Sequence, residues 1–141
     1  MEIETSLTFA RSYRQSVLVT LRNDGKPQLS NVVHQVDDTG IIRVSITADR
    51  AKYKNLVKRP WAGLHVTQKD FWAYVVLEGD VTLSPVVTSP EDAAADELVE
   101  LYRAVAGEHP DWDEYRAALV NDQRTVVRLT PTRAYGMLPP T

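Results

Sequence analysis

The 141-residue sequence contains no cysteine. Disulfides, thiolate metal centres and cysteine nucleophiles are thereby excluded. Histidine is scarce: His34, His65 and His109 lie far apart, and none belongs to an HExxH pair. Scattered histidines seldom converge, so no metal site is expected. The six glycines form neither a Gly-rich dinucleotide loop nor a Walker loop. No serine or threonine stands in a recognisable nucleophile setting. No apolar run is long enough to span a bilayer, and Met1 to Arg14 lacks an apolar signal core, so a cytoplasmic protein with no membrane partner is expected. The net charge is −3 and the isoelectric point near 5.6, which argues against a nucleic-acid partner. An enzyme built from this chain would leave the difficult chemistry to a bound cofactor.

What remains is an ordinary globular composition, 43% apolar and 25% charged, enough for one domain over residues 1–141 with its own core. Ser6 to Tyr13 reads as a short helix. Ser16 to Leu21 is an alternating, β-branched strand. Asn23-Asp24-Gly25-Lys26-Pro27 has hairpin-turn chemistry, and Gln28 to Val36 returns as a second strand. After Asp37-Asp38-Thr39-Gly40, Ile41 to Ala48 forms a third. A basic helix follows, with Asp49 expected as its N-cap and Pro60 as its end. Trp61 to Thr67 is a fourth strand and Trp72 to Leu83 a long fifth, with Gly79 allowing a bend at a barrel corner. Ser89-Pro90-Glu91-Asp92 starts a third helix, capped by Ser89, whose apolar stripe is Leu98, Leu101, Tyr102 and Val105. Gly107 stops it. Asp111-x-x-Glu114 opens a fourth helix, to about Val120. Thr125 to Leu129 is a sixth strand, resuming from Arg133 to Leu138 beyond Pro131. Six strands in mostly meander order with inserted helices indicate a mainly β protein, a small antiparallel barrel.

Two stretches point to function. Residues 49–59 carry five of the chain's sixteen basic residues and, after Asp49, no acid. Arg50 and Lys52 sit in the first turn of a helix, where backbone N–H groups are unpaired and cations oppose the helix dipole. An anion, most simply a phosphate, compensates both. Tyr53, Leu56 and Val57 are expected to face the core. Elsewhere, polar groups line strand faces that could bond a heterocycle: Gln28 and Ser30 on one face, Leu29 and Asn31 on the other, and Arg43, Ser45 and Thr47 opposite Ile42, Val44 and Ile46. On the fifth strand Trp72 and Tyr74 are expected on the face opposite Ala73, Val75, Leu77 and Val81, and something must cover them. The carboxylates Glu108, Asp111, Asp113 and Glu114 are explained by helix capping, and His109 by its turn beside Pro110.

The segments Gly25-Lys26-Pro27-Gln28-Leu29-Ser30-Asn31, Arg50-Ala51-Lys52-x-x-Asn55-Leu56, Trp72-x-Tyr74-x-x-x-Glu78-Gly79 and Gly107-Glu108-His109-Pro110-Asp111-Trp112 resemble the split β-barrel flavin and deazaflavin oxidoreductases. These form the pyridoxamine-5′-phosphate-oxidase-like superfamily, and the chain looks like its actinobacterial branch that uses coenzyme F420. The resemblance implies a six-stranded antiparallel split barrel acting as a homodimer, with two cofactor sites at the subunit interface. It places the cofactor phosphate on Arg50 and Lys52, with Asn55 nearby. It lays the tricyclic ring against Gln28, Leu29, Ser30 and Asn31 and against Ser45, Ile46 and Thr47, covered by the partner's segment corresponding to Trp72, Ala73 and Tyr74. It implies hydride transfer from reduced F420 to a small unsaturated substrate, in a pocket lined by Trp72 and Tyr74. FMN is the second choice of cofactor. FMN-using relatives often add basic residues from neighbouring strands; here Arg43 is the only obvious one, which favours the deazaflavin. A carrier of F420, FMN or haem is the non-catalytic alternative. Tyr74 and His34 are the only side chains to name as proton donors, and packing explains both.

Overall fold

The computed structural model describes residues 1–140; Thr141, the last residue of the expected domain, lies outside the described residues. The elements in order are α1 (Ile3–Arg11), β1 (Gln15–Leu21), β2 (Pro27–Val36), β3 (Ile42–Thr47), α2 (Ala51–Lys58), β4 (Trp61–Thr67), β5 (Tyr74–Leu83), α3 (Ala93–Ala106), α4 (Trp112–Asn121) and β6 (Arg124–Met137). The six strands close into an antiparallel barrel in the order β1-β2-β3-β6-β5-β4. Period-two alternation dictates the interior. Leu18, Ile42, Val44, Ile46, Leu64, Val66, Val75, Leu77, Val127 and Leu129 point inward and are buried, and Leu7 and Ala10 of α1 pack against the same core. A second cluster of Val87, Ala94, Ala95, Leu98, Leu101 and Leu119 gathers α3 and α4 around Val126. The helical hairpin is thereby fixed against the barrel's outer wall. Among the described residues no helix is long and apolar enough to cross a membrane.

Pairing is uneven around the barrel. β1 and β2 pair from Gln15↔Val33 to Leu21↔Pro27. β2 and β3 pair only at His34↔Val44, Gln35↔Arg43 and Val36↔Ile42. Continued in register, Val33, Val32 and Asn31 would meet Ser45, Ile46 and Thr47. They do not: the strands part there, and the barrel wall is split. Two seams further round the barrel, β6 crosses β5 with one extra residue. Glu78 pairs with Arg133 and Gly79 with Pro131, leaving Thr132 as a bulge. Gly79 is needed for this close approach, since a Cβ there would lie 1.9 Å from the Thr130 carbonyl oxygen.

Several local expectations change. Arg50, not Asp49, is the N-cap of α2, and no side chain caps that helix. Asp92, not Ser89, caps α3: its carboxylate accepts from the backbone N–H groups of Ala95, Ser89 and Thr88. Asp111 caps α4 as its spacing implied, accepting from Glu114 N–H. Trp72 lies in the turn before β5 and is 76% exposed. Val57 is 58% exposed on the outer side of α2, while Leu56 alone of that helix is fully buried. Pro131 interrupts nothing. It sits at the bulge, where a missing N–H costs no ladder bond, so the two expected pieces form one strand.

Charge closes the joint between barrel and hairpin. Glu97 of α3 accepts from Arg43 of β3 at 2.9 Å and from Arg128 of β6 at 2.6 and 2.9 Å, and Arg43 also grips Asp37 in the turn after β2. All four side chains are roughly three-quarters buried. Partial burial pushes the Asp37 carboxyl up, but bonds from Arg43, Thr39 and the backbone of Ile41 and Thr39 outweigh it and hold the pKa at about 2. Arg128 and then Arg43 likewise lower Glu97 against its partial burial. Both pKa values are depressed on folding, so the associated stability is present above the unfolded carboxylate range. It is lost as pH falls from about 4 through about 2. We expect Glu97→Ala, which strands the Arg128 guanidinium and leaves Arg43 only Asp37, to cost about 2 kcal/mol and lower the melting temperature by roughly 5 °C. Thermal denaturation followed across pH 7 to 2 checks both, and a pH-independent melting temperature would contradict the assignment.

Candidate functional site

The groove of about 1130 Å³ lies where β2 and β3 part, roofed by the α3–α4 hairpin. Its barrel side crosses four adjacent strands. Ser45, Ile46 and Thr47 come from β3, Asn31 to Val33 from β2, Gln15 to Val17 from β1, and His65 and Thr67 from β4. Its helical side is Leu101, Tyr102, Val105 and Ala106 of α3 with Tyr115, Ala118 and Leu119 of α4. Arg14 holds the roof in place, its guanidinium donating to the carbonyls of Ala104 and Val105 at the end of α3. The aromatic rings of Tyr102, His109, Trp112 and Tyr115 pack together, with centroids 4.9–5.7 Å apart, and stiffen the hairpin. The hydroxyl of Tyr115 donates to the Leu98 carbonyl. The split leaves backbone N–H and C=O groups of Asn31–Val33 and Ser45–Thr47 without a partner across the gap. Such groups are strong bonding sites for a heterocycle's edge.

One end of the groove is cationic. Arg50 and Lys52 enter from α2, and Arg124 enters from the start of β6, where it pairs with Thr47 and donates to the Ser45 hydroxyl at 3.4 Å. Among the described residues, neither Lys52 nor Arg124 has an acidic partner within 4 Å, and Arg50 has only exposed Asp49 at 4.0 Å. Asp122 is the one carboxylate in the lining. Partial burial lowers the Lys52 pKa, and the charges of Arg50 and Arg124 lower it further. The uncapped start of α2 adds its free N–H groups to this corner. The donor set therefore fits a phosphate.

Of the thirteen residues expected at the cofactor, the groove brings together Asn31, Ser45, Ile46, Thr47, Arg50 and Lys52. The others stand elsewhere in the single chain. The Asn55 amide donates to the Gln28 side chain at 2.9 Å and to Thr20 at 3.1 Å, tying α2 to the barrel. Leu29 is 63% exposed, Ser30 is half-buried, and Ala73 is buried. Tyr74 packs edge-on against His65, centroids 5.4 Å apart, and Trp72 packs likewise against Phe71. His34 is sealed inside the barrel wall. Its Nε2–H donates to the Ala10 carbonyl at 3.0 Å and its Nδ1 accepts from the Ser16 hydroxyl at 2.7 Å. Burial lowers its pKa, partly countered by the Ala10 bond. Arg43, the expected neighbouring-strand cation, is neutralised by Asp37 and Glu97; Arg124 takes that place. Sequence reasoning missed Arg124, His65, Phe71, Tyr102 and Tyr115. The signal for Arg124 was its position one residue ahead of the expected sixth strand, beside the third.

Residues 4–138 match the family described as pyridoxamine 5′-phosphate oxidase, and the chain belongs to that family. Solved structures share the fold. A conserved hypothetical protein from Mycobacterium tuberculosis is 22% identical, with a TM-score of 0.74 over 100% of this chain and 91% of that one. A protein described as an F420 reductase is 24% identical, with a TM-score of 0.68 over 94% of each chain. A pyridoxamine 5′-phosphate oxidase-related, FMN-binding protein from Nostoc punctiforme is 18% identical, with a TM-score of 0.59 over 95% of this chain and 81% of that one.

An anion bound at this corner would restore the Lys52 pKa towards its ordinary value. Affinity for a phosphate-bearing ligand should then be full at neutral pH and fall as alkaline pH removes the lysine proton. Lys52→Ala should weaken binding by about 1.5–3 kcal/mol and abolish that alkaline loss. Calorimetric titration with FMN or F420 between pH 7 and 10.5 checks the prediction, and a flat profile in the unaltered protein would contradict it.

Proposed function

We propose that this protein is an oxidoreductase that binds coenzyme F420 and passes hydride from the reduced cofactor to a small unsaturated organic substrate. One observation carries the reading: three cations, Arg50, Lys52 and Arg124, converge at one end of a long groove with almost no acid to neutralise them. The similarity to a protein described as an F420 reductase favours the deazaflavin. In this reading Arg50, Lys52 and Arg124 hold the phosphate, and the Ser45 and Thr47 hydroxyls and the open strand edges orient the ring. The hairpin residues Leu101, Tyr102 and Val105 exclude water from its far side. A bound deazaflavin would supply the hydride at its C5 carbon.

FMN is the second reading, and Arg124 favours it, being a basic residue contributed by a strand beside β3. A second copy of the chain fits the same scheme. Leu29, Trp72 and Met137 are 63%, 76% and 63% exposed, apolar side chains that a partner would cover. In a homodimer the partner's turn would cover the outer side of the site.

The experiment is a parallel titration with F420 and FMN, followed by incubation of the reduced complex with conjugated acceptors. We expect F420 to bind more tightly, in a salt-dependent manner, and to be reoxidised on turnover. Light scattering on the same samples should report a mass near twice the 15.9 kDa of one chain. Tighter binding of FMN would reverse the cofactor assignment, and tight binding without turnover would make the protein a carrier.

A further inference from the structure

Two non-glycine residues of the described chain adopt a left-handed backbone, Phe71 at φ 79° and Gln123 at φ 54°. Both touch the groove's surroundings. Gln123 immediately precedes Arg124, and Phe71 itself lines the groove. A bulky side chain in this conformation is strained, and such strain persists only where the local structure imposes it. The β4–β5 turn imposes it with four bonds. Gln68 N–H donates to the Ala73 carbonyl and Phe71 N–H to the Gln68 carbonyl, each at 2.8 Å. The Asp70 carboxylate accepts from the Gln68 amide at 2.8 Å and from Trp72 N–H at 3.2 Å. The strain does not serve packing, because Phe71 is 70% exposed. Asparagine or glycine would fill the position with less strain. What the turn achieves is to hold an aromatic ring at the groove, following His65 and Thr67 of β4.

The strand order separates this ring from the cations. β3, which carries Ser45 and Thr47 beside Arg124, is separated from β4 by β2 and β1, so the ring and the cations belong to the two ends of the groove's four-strand floor. A ligand with an anionic end and a planar end matches that separation. We propose that Phe71 is a ligand-contacting residue, the chain's own aromatic clamp on the planar end of the molecule whose anionic end is held by Arg50, Lys52 and Arg124. The inference rests on the coenzyme reading above and adds the ligand's direction: anion at the Arg50, Lys52 and Arg124 corner, ring running from the open edges of β3 and β2 towards the β4–β5 turn. It also gives the site a cover from the same chain that owns the cations.

The test is calorimetric titration of the full-length protein with F420 and FMN, alongside thermal melting, for Phe71→Asn, Phe71→Tyr and Lys52→Ala. Phe71→Asn should keep or raise the melting temperature, because asparagine tolerates this conformation, and should weaken binding about tenfold or more. Phe71→Tyr should bind within about twofold of the unaltered protein. Unchanged affinity in Phe71→Asn, with Lys52→Ala still weakened, overturns the clamp and leaves the coenzyme reading standing. Loss of binding together with a melting temperature lowered by more than about 5 °C also overturns it, since the ring would then be structural. Failure of the unaltered protein to bind either probe removes the coenzyme reading and the clamp with it.

Discussion

The parting of β2 from β3 is the constraint on which the rest of this structure depends. Three residue pairs hold the two strands together; beyond them β2 stays paired with β1 alone and β3 with β6 alone. A barrel of this size is filled by its own side chains, as this one is, so a cleft has to form at the wall. Here the gap leaves two strand edges without a partner on the side that faces it, and the α3–α4 hairpin lies across it instead of a strand. The hairpin can stay there because Leu98, Leu101 and Leu119 are buried against Val126, and because Glu97 is clamped by arginines from β3 and β6. Packing and ion pairing thus maintain an opening that backbone hydrogen bonding alone would close.

The chain handles its positive charge in two different ways at neighbouring places. Arg43 and Arg128 point outward from β3 and β6 and are met by Asp37 and Glu97. That cluster is internally neutral and joins elements. Arg50, Lys52 and Arg124 lie at the other end of the same two strands and have no comparable partners. Crowding three cations without neutralising them costs stability; burial first, and then the charges of Arg50 and Arg124, lower the Lys52 pKa. This unneutralised charge is the feature on which the proposed anion site rests.

Most of the barrel was legible because its strands follow simple alternation. Ile42, Val44 and Ile46 against Arg43, Ser45 and Thr47 could be assigned to faces from the pattern alone, and the structure agrees. Errors arose where one residue type supports two outcomes. Asp49 and Ser89 are both good caps, but the chain enters each helix a little later. Pro131 normally breaks a strand, but a bulge beside Gly79 absorbs it. Trp72 continues the aromatic pattern of the fifth strand, yet the turn ends only after it. The groove was half legible. Arg50 and Lys52 stand out because they are adjacent in a basic run. Arg124, His65, Phe71 and Tyr102 are single residues on separate elements, and only the closure of the barrel and the docking of the hairpin bring them to one surface. Gln28 and Asn55 read as ligand-facing polar groups, and in the folded chain they bond to each other.

The central claim is that the anionic end of the ligand supplies the grip and the planar end supplies direction. It is tested most directly by comparing FMN with riboflavin, and F420 with its phosphate-free deazaflavin core, in equilibrium titrations at one ionic strength. The account predicts that removing the phosphate weakens binding by roughly 10- to 100-fold in the matching pair, since at least one charge-assisted contact is lost. Equal affinity of the phosphorylated and phosphate-free compounds would contradict it.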